Sequence, residues 1–366
     1  LKLNRRDFLI GGGSIIGTTI LTGLSGCSKS QFEDKNINIQ NSSLNKLKLK
    51  LATSWPKSFP IMGDAVLQFA EKLKIVSSGS IDIQVFGKDE LVPALAVFDS
   101  ASIGAIDIFH SGPYYWKSKS LAISIFGGVP FGMTSDEGLS WFKYGGGMDL
   151  WREIYDRYNL YPLLGGNTGP QMGGWFKKEI KNIADLKGLK MRIPGLPGEL
   201  FSRLGVNPIL ISAGDIFTAL ERGTIDATEW VGPALDIKMG FHKVAYYYYS
   251  GWTKPGSILE LTFNKNSWAK LSNEQKLMVE LVANDINNNM IFKFHSENSK
   301  ALALLREDKN IKIGDFPADI TNLARNESKK LMNEFSAQNS EFAKVWKSYS
   351  SFQKLNSGWS DLNNRG

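Results

Sequence analysis

Arg192 stands near the end of an alternating run, Leu189-Lys190-Met191-Arg192-Ile193, that Pro194-Gly195 closes. The pattern predicts a strand with Leu189, Met191 and Ile193 on one face and Lys190 and Arg192 on the other. A guanidinium at a strand's carboxyl end lies where open α/β sheets bind ligands, and its planar fork grips a carboxylate through two charge-assisted hydrogen bonds. The alternative is a solvated surface arginine. In Thr224–Pro233, parity sets Glu229 in the row of Ile225, Ala227 and Val231. A carboxylate in an apolar row has to be protonated, paired or bound to a cation. Glu260 interrupts Ser257–Phe263 in the same way. If both glutamates and a ligand carboxylate share one cleft with Arg192, negative charge is in excess and a bound cation offsets it. Oxygen donors favour an alkali or alkaline-earth ion over zinc. Pairing of Glu229 with an Arg or Lys across the sheet is the other solution.

A third candidate is Gly165-Gly166-Asn167-Thr168-Gly169-Pro170-Gln171-Met172-Gly173-Gly174-Trp175. Its glycines predict close backbone approach or a crossing between lobes, and Asn167 and Gln171 carry neutral amides suited to a small polar ligand. Tyr114-Tyr115-Trp116 is a candidate wall of the cleft, with a place in the core or an interface as the alternative. Signatures of catalysis are missing: there is no Gly-x-Ser-x-Gly, and the glycine clusters lack the spacing of a dinucleotide or phosphate loop. Three histidines, far apart, and the one cysteine do not make a zinc cluster, a disulfide framework or a Cys–His dyad. The formal net charge of +7 is scattered among acidic residues rather than gathered in a stripe, which argues against a nucleic-acid partner.

The elements that must position these groups follow a βαβ order. Leu47-Lys48-Leu49-Lys50-Leu51 alternates as a strand, Val66–Val76 has helical spacing, and Ile81, Ile83 and Val85 alternate again. An internal echo stands out. Val97–Ile108 reads as a helix stopped by Gly104, with Ile106 opening a strand, and Ile216–Ala227 repeats the plan with Gly223 and Ile225. Gly-x-Ile-Asp recurs in both copies, which predicts two similar α/β lobes facing each other across a cleft. At 366 residues the chain holds roughly two domains of ordinary size. Ser272-Asn273-Glu274-Gln275 is a capping box opening a helix long enough to touch both lobes. Further helical patterns cover 320–337 and 340–349, and 350–366 reads as a polar tail carrying Phe352 and Trp359.

The first residues read as an address. Lys2, Arg5 and Arg6 precede an uncharged apolar run from Phe8 to Leu24. Asn4-Arg5-Arg6-Asp7-Phe8-Leu9 resembles the twin-arginine export motif, and Leu24-Ser25-Gly26-Cys27 resembles a bacterial lipoprotein box, which implies lipidation at Cys27. Residues 28–46 are polar and aperiodic, as a tether would be.

Ala52-Thr53-Ser54-Trp55-Pro56, Gly165–Trp175, Met191–Gly195 and Gly223–Pro233 together resemble solute-binding proteins of TRAP (tripartite ATP-independent periplasmic) transporters, in the branch that binds 2-oxo acids. The resemblance spans roughly 47–345. It implies an α/β, two-lobed periplasmic binding fold with mixed sheets, a long helix spanning both lobes and a helical C-terminus. The implied lobes are 47–168 with 258–297 and 169–257 with 298–339, after a signal peptide over 1–26 and a tether over 27–46; residues 340–366 form a helix or tail that swaps into a dimer. The resemblance further implies that Arg192 anchors a ligand carboxylate, with Gln171, Trp230, Asn167 and Tyr114 around the ligand. Glu229, Trp230, Glu260 and Gln171 would surround a metal cation, Na+ or else Ca2+, bound with it. The expected activity is capture of a small 2-oxo or 2-hydroxy monocarboxylate such as pyruvate for membrane permease subunits, without catalysis, in the periplasm. A tethered ligand sensor and an exported enzyme acting on carboxylic acids are the rivals. Cys27 departs from the family pattern of a freely soluble protein.

Overall fold

The computed structural model describes residues 45–363. The signal-like 1–26, Cys27 and the tether up to residue 44 lie outside the described residues.

The strands in chain order are β1 (Leu47–Thr53), β2 (Ile81–Phe86), β3 (Ile108–Ser111), β4 (Leu160–Asn167), β5 (Gly174–Phe176) and β6 (Lys190–Arg192). They continue with β7 (Asn207–Ile209), β8 (Ala227–Thr228), β9 (Tyr247–Tyr249), β10 (Ile258–Asn264) and β11 (Lys312–Gly314). One sheet has the order β2-β1-β3-β10-β4 and the other β11-β9-β5-β8-β6-β7. In the first, β1 pairs in parallel with β2 and β3, and β10 lies antiparallel between β3 and β4. In the second, β6 pairs in parallel with β7 and β8, while β5 is antiparallel to β8 and β9. The alternation read in β1 is realised, with Leu49 and Leu51 in the core and Lys48 and Lys50 off it.

The echo is a structural repeat. Helix Val97–Ser102 precedes β3 and helix Ile216–Glu221 precedes β8, and Gly104 and Gly223 adopt φ of 79° and 74° just past them. That left-handed conformation, costly for a residue with Cβ, ends each helix. Asp107 Oδ2 accepts from the Lys50 N–H at 2.8 Å, and Asp226 Oδ2 accepts from the Lys190 N–H at 3.0 Å. Each aspartate thus pins its own parallel pair, β1–β3 or β6–β8. The strands open two residues later than the pattern implied, because the Ile106 and Ile225 amides still donate into the preceding helices, at 3.4 Å to Ser100 O and 3.2 Å to Ala219 O.

Two segments run from one sheet to the other. The glycine-rich stretch leads from β4 to β5, and 250–257 leads back from β9 to β10. They are bonded side by side, with Gln171 N–H donating to Lys254 O at 3.0 Å and Thr168 N–H to Ser257 O at 3.0 Å. The helix Asn273–Glu307 packs on β4, helix Met62–Val76 and helix Pro233–Lys238, touching elements beside both sheets. Its capping box is complete, with Ser272 Oγ accepting from Gln275 N–H at 3.2 Å and Gln275 Oε1 from Ser272 N–H at 3.0 Å. Helix Ala318–Gln338 follows. The expected polar tail after Tyr349 is helical instead: Ser340–Asn363 is one helix, since nothing between Tyr349 and Ser357 breaks it and Phe352 packs on the core.

Candidate functional site

Arg192 ends β6 and is 1% exposed. Burial of a guanidinium is costly unless its donors are used. Here Nε donates to Ile211 O at 3.2 Å, Nη1 to Glu229 O at 3.1 Å and Nη2 to Tyr115 Oη at 2.9 Å. These bonds employ three of the five N–H donors that the group carries. The guanidinium carbon also lies 5.0 Å from the Trp230 ring centroid. The surface-arginine alternative is excluded. The strand holds its register through the Glu229 N–H, which donates to Arg192 O at 2.9 Å.

Glu229 follows β8 directly and is wholly buried, but so are Thr228 and Trp230 of the opposite parity, and the strand is too short to make the expected row. Its carboxylate lies between two cations. Oε1 accepts from Lys254 Nζ at 3.1 Å, and Oε2 is 3.7 Å from Arg192 Nη1, beyond hydrogen-bond range. Oε2 has no hydrogen-bond partner. Lys254 is 1% exposed, its ammonium 4.4 Å from the Tyr114 ring centroid. Burial holds the Lys254 ammonium below the usual lysine range, and the adjacent Glu229 opposes that shift.

Gln171 is buried on the crossing segment, with Nε2 donating to Thr168 Oγ1 at 3.0 Å and Oε1 unpartnered. Asn167 Oδ1 accepts from Ser135 Oγ at 3.0 Å and Gly169 N–H at 2.8 Å, leaving Nδ2 unpartnered. The Trp230 indole N–H is also buried without an acceptor. Tyr114 and Tyr115 are packed edge to face with centroids 4.7 Å apart, and burial pushes both hydroxyls above the ordinary tyrosine range. A groove lined by Tyr114, Tyr115, Ile193, Pro194 and Leu210 borders this cluster. Arg192, Glu229, Trp230 and Tyr114 therefore come together, and Gln171 joins them through its bond to the Lys254 backbone.

Glu260 does not join that pairing. Its Oε1 accepts from Trp116 Nε1 at 2.5 Å and its Oε2 from Thr262 Oγ1 at 2.8 Å, so both oxygens are engaged inside the β3–β10 half. Burial pushes its carboxyl up to about 7, against those hydrogen bonds. Expecting Glu260 beside Glu229 overlooked Thr262, two residues on along the same strand face. Lys254 was the residue missed. Its signal is a lysine between Trp252-Thr253 and Pro255-Gly256, in the return crossing just ahead of β10.

Oxygen chemistry for a hard cation exists here in part. Glu229 Oε2 and Gln171 Oε1 are buried oxygens in want of a partner, which fits such an ion. Among the described residues no three His, Cys, Asp or Glu side chains cluster to hold a metal. The rest of a coordination shell would have to come from main chain, water and ligand.

Residues 51–339 match the model of the DctP family, described as bacterial extracellular solute-binding protein, family 7. A monocarboxylate 2-oxoacid-binding periplasmic protein of Nostoc is 36% identical over 346 residues, covering 94% of this chain and 93% of the relative. A TRAP periplasmic solute-binding protein from Pseudoalteromonas atlantica, crystallised with sodium and pyruvate, superposes with TM-score 0.85 at 41% identity, over 87% of this chain and 97% of that one. Another from Colwellia psychrerythraea, with calcium and pyruvate, gives 0.85 at 40% identity, over 88% and 98%. By sequence and by architecture, this chain belongs to the DctP family of bacterial extracellular solute-binding proteins.

Proposed function

We propose that the chain captures a small 2-oxo or 2-hydroxy monocarboxylate, with pyruvate the simplest, and hands it to the membrane subunits of a TRAP transporter on the periplasmic side. The observation that carries this reading is Arg192, buried at the end of β6 with three of its donors held by protein. The remaining two suit one carboxylate. Trp230 and Tyr114 would flank the ligand; the free Asn167 Nδ2 can donate to a keto or hydroxyl oxygen, and the free Gln171 Oε1 can accept from a hydroxyl or bind a cation. Glu229, Trp230 and Gln171 line the place for a cation of the Na+ or Ca2+ kind found in the crystallised neighbours. No reaction is assigned; the ligand leaves as it came.

In this reading the lobes are 47–168 with 258–297 and 169–257 with 298–339, hinged at the paired crossings. The final helix leaves Leu355, Trp359 and Leu362 exposed at its end, a face suited to a second copy of the chain. Lipidation at Cys27 would hold the protein at a membrane surface. Calorimetric titration with pyruvate and longer 2-oxo acids, in buffer containing Na+ and Ca2+, tests the central claim. Saturable binding by wild type and its loss in Arg192→Ala support it. Equal affinity in both proteins overturns it, and conversion of the ligand during long incubation, read by mass spectrometry, would reveal an enzyme.

A further inference from the structure

Glu229 already has a cation. We infer that the Lys254 ammonium and a metal ion are alternative partners of Glu229, so that this chain captures its carboxylate without requiring an added ion. The inference rests on the proposed carboxylate-binding role of the cleft.

Geometry carries it. Lys254 Nζ lies 3.1 Å from Glu229 Oε1 with both side chains almost fully buried, at 2% and 0% exposure. The ammonium is held on its other side by the Tyr114 ring, 4.4 Å away. Its backbone is fixed by the bond from Gln171 N–H to Lys254 O at 3.0 Å, the same residue whose Oε1 is unpartnered. A metal ion drawing on both Glu229 and Gln171 therefore meets a resident ammonium on its first ligand. Like charges crowded in a buried site repel strongly, and with Arg192 already 3.7 Å from the other carboxylate oxygen a third cation on Glu229 is strongly disfavoured while the ammonium stays.

The charge balance points the same way. Glu229 carries one negative charge, and Arg192 and Lys254 one positive charge each. These three side chains together carry one positive charge in excess, which a single monocarboxylate neutralises. The expectation of a necessary metal assumed two glutamates in the cleft. Glu260 bonds to Trp116 and Thr262 instead, and the lysine was not counted. An ammonium has three N–H donors. One serves Glu229 and one faces the Tyr114 ring, which leaves a donor for a ligand oxygen where a metal would otherwise coordinate it.

The test uses the whole chain and pyruvate as probe. Calorimetry compares chelator-treated protein in N-methylglucamine chloride with the same protein given Na+ or Ca2+. Wild-type affinity changes by less than about threefold, while Lys254→Gln loses more than about threefold without ions and recovers with Ca2+. A larger ion dependence of wild type, or ion-free binding by Lys254→Gln equal to wild type, overturns the inference. In parallel, Lys254→Glu adds a second carboxylate beside Glu229, and its melting temperature rises with Ca2+ while that of wild type does not. An equal rise in wild type also overturns it. Absence of pyruvate binding in every buffer would instead sink the carboxylate reading of the cleft, and the Ca2+ melting comparison would still judge Lys254 as the rival of the metal.

Discussion

The Gln171 N–H donates to Lys254 O at 3.0 Å, and this bond joins the two segments that cross between the sheets. The fit around it is tight. A Cβ added at Gly251 would lie 1.7 Å from the Gln171 carbonyl oxygen. Gly251→Ala must therefore push the crossings apart, and overpacking of this kind costs about 1–3 kcal/mol. Urea denaturation should show that loss, and pyruvate affinity should fall with it because Gln171 and Lys254 shift together.

Arg192→Lys keeps the charge but loses the fork. One ammonium has to replace a group that bonds Ile211 O, Glu229 O and Tyr115 Oη at once and still leaves donors for ligand. Pyruvate affinity should fall by at least about tenfold, or about 1.4 kcal/mol, by titration calorimetry. Retention of wild-type affinity would mean that a point charge suffices.

Glu260 makes stability depend on pH in a particular direction. Its folded pKa, about 7, lies above the ordinary 4.5 because the carboxyl is buried. The native state therefore keeps a proton that the unfolded chain has released, so this group's contribution is full below about 4.5 and declines as pH rises towards about 7. Relative to wild type, Glu260→Gln should gain up to about 3 kcal/mol between those limits. Urea unfolding across the window measures it; a flat difference would show that Glu260 is ionised in the fold.

Two ion pairs link elements beside different sheets. Lys88 Nζ lies 2.8 Å from Asp215 Oδ2, and Lys117 pairs with Glu199 on helix Gly195–Arg203. The acidic partners are exposed enough that each pair contributes no more than about 1 kcal/mol. Asp215→Asn combined with Glu199→Gln should lower ligand affinity by less than about thirtyfold and flatten its dependence on salt. An unchanged salt response would show that these pairs have no part in ligand binding.

What the sequence disclosed is bounded by range. The apolar residues around Glu229 signalled its burial, though Thr228 and Trp230 of the other parity are buried with it, and the Pro-Gly stop put Arg192 at its strand end; both are decided within a few residues. Lys254 was illegible because a lysine ahead of Pro255-Gly256 reads as a surface turn until the other crossing, eighty residues earlier in the chain, is laid against it. Glu260 misled for the opposite reason. Its burial was correctly foreseen, but its partner Trp116 comes from a distant segment that no local pattern connects to it. The last helix outran its apolar pattern because helix persists where no residue stops it and a single aromatic, Phe352, finds the core.

The twin Gly-x-Ile-Asp units have a bearing on selectivity. Lys50 with Asp107 matches Lys190 with Asp226, so register carries Arg192 onto Ala52 and Glu229 onto His110. The sister unit offers a methyl group and an imidazole whose pKa burial lowers to about 4, neutral in any ordinary medium. Pseudo-symmetry is thus broken at its chemical end: one half is charged, the other mute. Whatever discrimination fixed charge gives at these matched positions must therefore come from the Arg192–Glu229 half alone.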